Sequence, residues 1–496
     1  MIKKIEKIYV IQFMLFFVTT TVPKLNAQSA TEVLNNCIEQ FGGLEQLQEI
    51  KFITKHHNGH KHWLEQSEFH NGPFITSYEE VTETYSLTED KLFQESSIKQ
   101  FQFKESISSS IVINASKGDM VYGTQKYPLP QSYKDEILSL VSYDPLAILL
   151  KAKASNNLKK EENYNSIEGE AYHNLSFTKN NVKHNLLINS KTGLLFQAEI
   201  ETHLPYENFF SPFGNFTTTV KYSLYHYHQK AIRYPYQWDI YRLGNKWRSI
   251  TCDAVSFLKT VDTEIFTAEK DIKKKPPVTQ QKGNFEYLRN EFENVYTLLG
   301  NWFVQWVIND NEILIIEAPI SSTYSKSVID YLKDTYPNKI IKGVIVASDA
   351  YPHIGGIREY VANEIPIITH PNNKGLLEKI IKAMYVSEPD ELSINPKAPV
   401  YKFVTDEMNF GKDISIYPIE GSAGSKMLMV HSKKDEWLYT ADLIQKTPEG
   451  FFMPQYLTEV QDAVNKNKLE VSKVFGMHLQ PVEREKVEQF ILNNNK

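Results

Sequence analysis

The chain changes its hydrophobic period once, and that change restricts the fold more than any motif does. From Phe52 to about Phe266, apolar and polar residues alternate in runs such as SSSIVINASKGDMVYG and FTTTVKYSLYHYHQ. Asn-Asn, Thr-Gly and Lys-Gly turns punctuate them. A period of two over so long a stretch reads as a meandering antiparallel sheet with one wet face. The 28 Tyr and 27 Phe agree with a high strand content. Ahead of it, Ala30 to Phe41 has helical spacing and GGLEQLQEI restarts a short helix, while Tyr143 to Ala154 reads as a helix lying across the sheet.

Beyond residue 284 the pattern alternates. FVQWVINDNEILIIEAP reads as a hairpin turning at Asn309-Asp310-Asn311, SKSVIDYLKDTY as an amphipathic helix and KGVIVAS as a buried strand. A helix (GGIREYVAN), a strand (IPIITH) and a helix (KGLLEKIIKAMY) follow, then strands around 400–445 and a last helix near 484–493. Such alternation predicts a layered domain of helices on sheets. A chain of 496 residues is too long for one ordinary core, so two domains are expected. The charged, Pro-Pro-containing stretch AEKDIKKKPPVTQQKG reads as a solvated linker over 268–284, between a β-rich domain of 28–267 and a second domain of 285–496.

Residues 1–27 stand apart from both. Lys3, Lys4 and Lys7 precede a nearly continuous apolar run, Tyr9 to Val18, and a polar exit ending Leu25-Asn26-Ala27. This is the layout of a secretory signal peptide cleaved after Ala27, and it predicts a periplasmic or extracellular protein. An uncleaved N-terminal anchor is the alternative. No later stretch reaches 18 apolar residues, so no integral membrane segment is expected after cleavage. The formal net charge of −6 gives no electrostatic case for nucleic acid. An oxidising compartment permits a disulfide between the two cysteines, Cys37 and Cys252, with two buried thiols as the alternative.

The second half carries a family resemblance. The order is hairpin, helix, strand, polar turn, His353-Ile354-Gly355-Gly356, helix. A later strand ends in WLYTADL and another in VFGMH. This resembles the metallo-β-lactamase superfamily over about residues 285–496, which implies an αββα sandwich and metal-dependent hydrolysis of esters, amides or phosphodiesters. The fold class expected is therefore α+β, a curved antiparallel sheet followed by that sandwich. Glu317–Pro319 resembles the end of the family's second-strand region, where an acidic residue is usual.

Laid on the family's His-x-His-x-Asp-His loop, His353 takes the last histidine, and Ser348, Ala350 and Pro352 take three ligand positions without being ligands. A further histidine position falls in EGSAGSKM (420–427), which has none. Asp442 and His478 match the bridging aspartate and the final histidine. The resemblance thus implies at most one divalent metal ion on His353, Asp442 and His478, or none. Two histidines and a carboxylate suit zinc first, and also iron(II) or manganese. Asp349, on the same turn, is the candidate base, and Ser348 and Glu420 are the other groups near enough to assist. Each of the three ligands also has a structural reading: a hydrogen-bonded histidine at a strand-to-helix turn, a loop-holding aspartate, a packed histidine.

The function expected is a divergent hydrolase of this fold. The alternative is a non-catalytic envelope protein binding a small-molecule, hydrophobic or lipid-like ligand. That alternative draws on the first half, where NLLINSKTGLLFQAEIE resembles the strand-turn-strand of lipoprotein-carrier half-barrels, which implies a concave apolar surface. Other features are weaker. KHHNGHKHW reads as a hairpin tip around Asn58-Gly59, with His56, His57, His60 and His62 about it and His60 and His62 on one face. His370 with Asn372-Asn373 reads as a helix-capping turn.

Overall fold

The computed structural model describes residues 28–64, 72–100, 105–161, 165–228, 232–273, 275–420, 427–447, 450–451 and 454–494. The stretch read as a signal peptide lies outside them.

Alternation becomes pairing over most of the first half. Fourteen strands between Phe52 and Leu258 form one sheet, all of its pairs antiparallel. The first, Phe52–His62, lies beside the last, Asn245–Leu258, and the meander runs outward from that seam on both sides. Burial alternates as the sequence does: in Thr76–Ser86, Ser77, Glu79, Val81, Glu83 and Tyr85 face inward. The helices Ala30–Gln40, Gln131–Ser142 and Pro145–Lys153 cover that inner face, joining Val33, Leu34, Ile137, Leu146 and Leu149 to one core with Ile53 and Trp238. The inner face is therefore already clad by the chain's own helices.

An Asp-Pro pair fixes the last of these helices. Asp144 caps it, its Oδ1 accepting from the Leu146 N–H at 2.8 Å. Its Oδ2 accepts from the phenols of Tyr85 (2.7 Å) and Tyr234 (2.6 Å), two strands of the sheet. Nearby, Lys55 and Glu83 form a buried ion pair at 3.0 Å, with the ammonium 4.2 Å above the Trp238 ring.

The second half is a sandwich of two sheets. A seven-stranded sheet runs from Leu288–Phe292 to Tyr401–Phe403, antiparallel through its first strands and parallel from Glu312–Ile316 onward. A six-stranded sheet runs from Met408–Phe410 to Leu479–Glu483. Period two explains the layers: Ile313, Ile315, Val344 and Val346 face the helices Ser322–Thr335 and Lys374–Ile381. Leu314, Ile316, Ile345 and Ala347 face the second sheet, whose other side is covered by Pro454–Lys466 and Arg484–Asn494. The α+β class and the αββα order stand as expected; the helix Pro454–Lys466 is an addition to the sequence reading.

Two expectations are corrected. Asn58-Gly59 is no hairpin tip but lies inside the continuous strand Phe52–His62. Glycine is needed there because a Cβ would stand 2.8 Å from the Ser249 carbonyl oxygen of the neighbouring strand. The stretch 268–284 is not a free linker but a surface segment anchored at points: buried Asp119 accepts the backbone N–H groups of Glu269 (2.9 Å) and Lys270 (3.0 Å), and Ile272 and Val278 are buried while Lys273, Lys275 and Pro276 stay exposed. Cys37 and Cys252 are free and buried, with no disulfide between them.

The halves meet beside the strand-to-helix turn of the second. Phe213 packs edge-on to Tyr351 with ring centroids 4.9 Å apart, and Phe210 lies 6.3 Å from the same ring. Asn215 accepts from the backbone N–H groups of Val386 (3.1 Å) and Ser387 (3.0 Å).

Candidate metal centre

The strand Ile340–Val346 delivers the chain to a turn held from two sides. Ser348 Oγ accepts from the Ala350 N–H at 3.2 Å, and Tyr351–His353 coil into one tight helical turn. The segment Glu317–Ile320 clamps it. Ala318 N–H donates to the His353 carbonyl (3.2 Å), Ile320 N–H to that of Pro352 (2.8 Å), and Gly356 N–H to that of Ala318 (2.8 Å). So close a contact needs the glycine pair: a Cβ on Gly355 would stand 2.4 Å from the Ile320 oxygen, and one on Gly356 2.7 Å from that of Ser321. Both Glu317 (φ 74°) and Ile320 (φ 72°) adopt the left-handed conformation to form the clamp.

A further contact brings in the other two residues. The turn after Trp437–Tyr439 places Asp442, and Met477 N–H donates to the Ala441 carbonyl at 3.0 Å, drawing His478 alongside. One group of three or more metal-ligating side chains is found among the described residues: His353, Asp442 and His478, with one ligand atom of each within 4.8 Å of the others. His353 Nε2 lies 3.7 Å from Asp442 Oδ2, and His478 Nε2 lies 3.5 Å from Asp442 Oδ1.

These separations suit a shared ion better than direct pairing. They are long for N–H···O bonds, which run about 2.7–3.2 Å. With metal–ligand bonds of about 2.0–2.2 Å, the corners of a tetrahedron stand about 3.3–3.6 Å apart. His353 is 2% exposed, and its Nδ1 has no hydrogen-bond partner, so neither ring nitrogen is committed to a protein group by a hydrogen bond. The Asp442 and His478 side chains keep 22% and 29% exposure, which leaves the site a solvent-facing side.

The electrostatics fit a site built to receive a cation. Burial, and then the neighbouring Asp349 carboxylate, push Asp442 up to about 8, with the Gln445 amide opposing from 2.6 Å. Burial, then His478, holds His353 well below the usual histidine range, and burial lowers His478 as well, against a hydrogen bond to the Asn301 backbone. Behind the centre, Glu317 is wholly buried and accepts from the Tyr439 phenol at 3.2 Å. Burial first, and the Asp442 charge as well, push it well above the carboxylate range, while Tyr439 and the Ala347 N–H pull the other way.

The structure thus brings His353, Asp442 and His478 together and sets Asp349, half-buried, within electrostatic reach of both His353 and Asp442. Ser348 is buried on the same turn. Glu420, expected nearby, is instead in an exposed ion pair with Lys466 at 2.6 Å. The rest of the glycine-rich turn, 421–426, lies outside the described residues. His370 Nδ1 accepts from the Asn372 N–H at 3.2 Å, so that segment is a cap. His56 pairs with Asp253 at 2.6 Å on the outer face, and His57 turns inward toward Glu83 at 3.6 Å. Gln445, Tyr439 and the Asn301 carbonyl were not singled out by sequence; only Gln445, three residues past Asp442, had a local signal.

No family model matches the chain, and no curated relative matches it by sequence. Among solved structures, the chain is similar to the DIM-1 metallo-β-lactamase, at 14% identity over 42% of this chain and 97% of that one, with a TM-score of 0.33. It is also similar to the FIM-1 metallo-β-lactamase from Pseudomonas aeruginosa in its mono-zinc form, at 12% identity over 42% and 95%, TM-score 0.33. A double mutant of the sec-alkyl sulfatase PisA1 matches at 14% identity over 42% and 40%, TM-score 0.32. None of the three lends a residue role to this chain.

Proposed function

We propose that the second half is a divergent metal-dependent hydrolase centre for one divalent ion, held by His353, Asp442 and His478. The observation that carries this is that ligand atoms of His353, Asp442 and His478 lie within 4.8 Å of one another, with the two imidazoles 3.7 and 3.5 Å from the two oxygens of Asp442, close enough for one ion to sit among them. Two imidazoles and one carboxylate fit zinc, iron(II) or manganese and leave a position open. When bound, such an ion supplies Lewis acidity and a water that ionises near neutral pH.

The chain's own residues do the rest. Asp349, beside the centre and half-buried, is placed to take a proton at its carboxylate. Gln445 orients Asp442 by donating to Oδ1. The Glu317–Ile320 clamp fixes the carbonyls of Pro352 and His353, and with them the ring of His353. Pro352 has no side-chain donor or acceptor with which to orient water, so proton handling falls to Asp349. The signal-peptide layout of residues 1–27 supports reading this centre as exported.

A second reading, a non-catalytic binding protein, draws on the same loop. Ala350 and Pro352 carry no ligand atom and Ser348 Oγ accepts from the Ala350 N–H, so three positions of the family loop lack their histidine or aspartate here. Hydrolysis of chromogenic esters and phosphodiesters separates the two readings. Turnover that chelation abolishes, that added zinc or manganese restores and that Asp349→Asn slows supports the hydrolase. No turnover with any ion supports the binding protein.

A further inference from the structure

Among the described residues, five buried N–H donors at one end of the first sheet have no acceptor: Nε and Nη2 of Arg242, Nε of Arg248, and the indole N–H groups of Trp63 and Trp247. Arg242 closes the strand Arg233–Arg242 and is 1% exposed. Its guanidinium is held flat, 3.4 Å from the Trp247 ring centroid and 4.9 Å from that of Phe210. A buried charge without hydrogen bonds is costly, and native structures seldom leave one so.

The same chain shows what such an edge can grip. Nε and Nη2 form one side of a guanidinium fork. Arg358 uses that side on Asp390, donating from Nε at 2.7 Å and from Nη2 at 2.7 Å. Among the described residues, the same pair on Arg242 meets no hydrogen-bond acceptor. Glu136 lies within electrostatic reach of Arg242, but among the described residues the hydrogen bonds of its carboxylate go to other cations: Oε1 accepts from Arg248 Nη2 (2.8 Å) and Lys61 Nζ (3.2 Å), and Glu79 pairs with Arg248 Nη1. All five orphans are donors, so the missing partner is an acceptor. A guanidinium fork selects planar or tetrahedral oxyanions gripped through two oxygens.

We infer that Arg242 is the receptor for the oxyanion group of a small ligand, a carboxylate, sulfate or phosphate bound bidentately between Trp247 and Phe210. Lys61 and Glu136, with side chains 19% and 22% exposed, form the solvent rim. Phe210 also meets Tyr351, two residues before His353, so the site abuts the metal loop without sharing its ligands.

Calorimetric titration of the chelator-treated full chain with sulfate, phosphate, acetate and benzoate tests this. The expected result is saturable one-site binding of at least one of them, about a hundredfold weaker in Arg242→Met and unchanged in His353→Ala. Preference for acetate or benzoate identifies an organic acid; preference for sulfate or phosphate identifies a tetrahedral group; both support the site. If Arg242→Met fails to fold, Arg242→Lys, which keeps the charge but not the fork, must weaken binding about tenfold or more. The inference is overturned by no saturable binding at millimolar concentration, by equal affinity in the Arg242 variants (an adventitious ion only), or by loss in His353→Ala, which would put the anion at the metal centre.

Discussion

Replacing Asp144 with alanine removes a helix cap and the shared acceptor of two buried phenols at once. Loss of the cap on Pro145–Lys153 costs about 1 kcal/mol. The hydroxyls of Tyr85 and Tyr234, donating at 2.7 and 2.6 Å, would each be stranded in a core where a lost partner costs about 1–3 kcal/mol. The expected loss is about 4 kcal/mol from the stability of the first sheet. Asp144→Asn is the informative control: its amide oxygen keeps the cap, and a phenol can rotate to accept from its NH₂. It should lose about 1–2 kcal/mol. Urea unfolding followed by tryptophan fluorescence reads both, since Trp238 and Trp247 are buried in this sheet. An alanine variant losing under about 1 kcal/mol, or an asparagine variant as damaged as the alanine, would refute the shared-acceptor account.

Glu83→Gln leaves the Lys55 ammonium buried without its partner and should cost about 3–5 kcal/mol in the same assay, while Lys55→Met with Glu83→Leu recovers most of it. Burial alone would raise the Glu83 carboxyl, but Lys55 and His57 outweigh it and hold it well below the usual range. Its contribution is therefore complete above about pH 4.5 and is lost as the pH falls toward the folded value, so Glu83→Gln should flatten the acid limb of a stability–pH curve. Glu317 has the opposite sign: burial raises it well above the carboxylate range, so its contribution is present below about pH 4.5 and is lost as the pH rises toward the raised folded value. Glu317→Gln should then raise the melting temperature at pH 8 more than at pH 5, and an equal change at both values would contradict the assignment. Gly356→Ala puts a Cβ 2.0 Å from Ser325 Oγ and 2.7 Å from the Ser321 carbonyl, and should cost about 1–3 kcal/mol and weaken metal retention; Ser325→Ala should not rescue it, because the carbonyl contact remains.

Much of this architecture is legible in the residues, and the exceptions have physical causes. The alternation in Thr76–Ser86 and the doubly apolar runs of Glu312–Ile316 and Ile340–Val346 declare which strands have one dry face and which have two. The helix Pro454–Lys466 is equally legible, since Leu457, Val460, Ala463 and Val464 follow helical spacing. Asn58-Gly59 misled because Asn-Gly is a strong hairpin signal, whereas this glycine answers the close carbonyl of Ser249. The order of His353, Asp442 and His478 along the chain suggested a site. Their meeting depends on the Met477-to-Ala441 hydrogen bond and on the Glu317–Ile320 clamp, which no local pattern announces. Nor does sequence say that Arg242 lacks a partner while Arg358 has one, because that is decided by what the fold places opposite each fork.

The most direct test of the metal centre is elemental analysis of the purified full chain beside His353→Ala, Asp442→Asn and His478→Ala. Near one equivalent of zinc, iron or manganese in the wild type, and little in each variant, is the result that the 3.5 and 3.7 Å separations predict. No metal in the wild type after incubation with each ion, or full retention in all three variants, would contradict it.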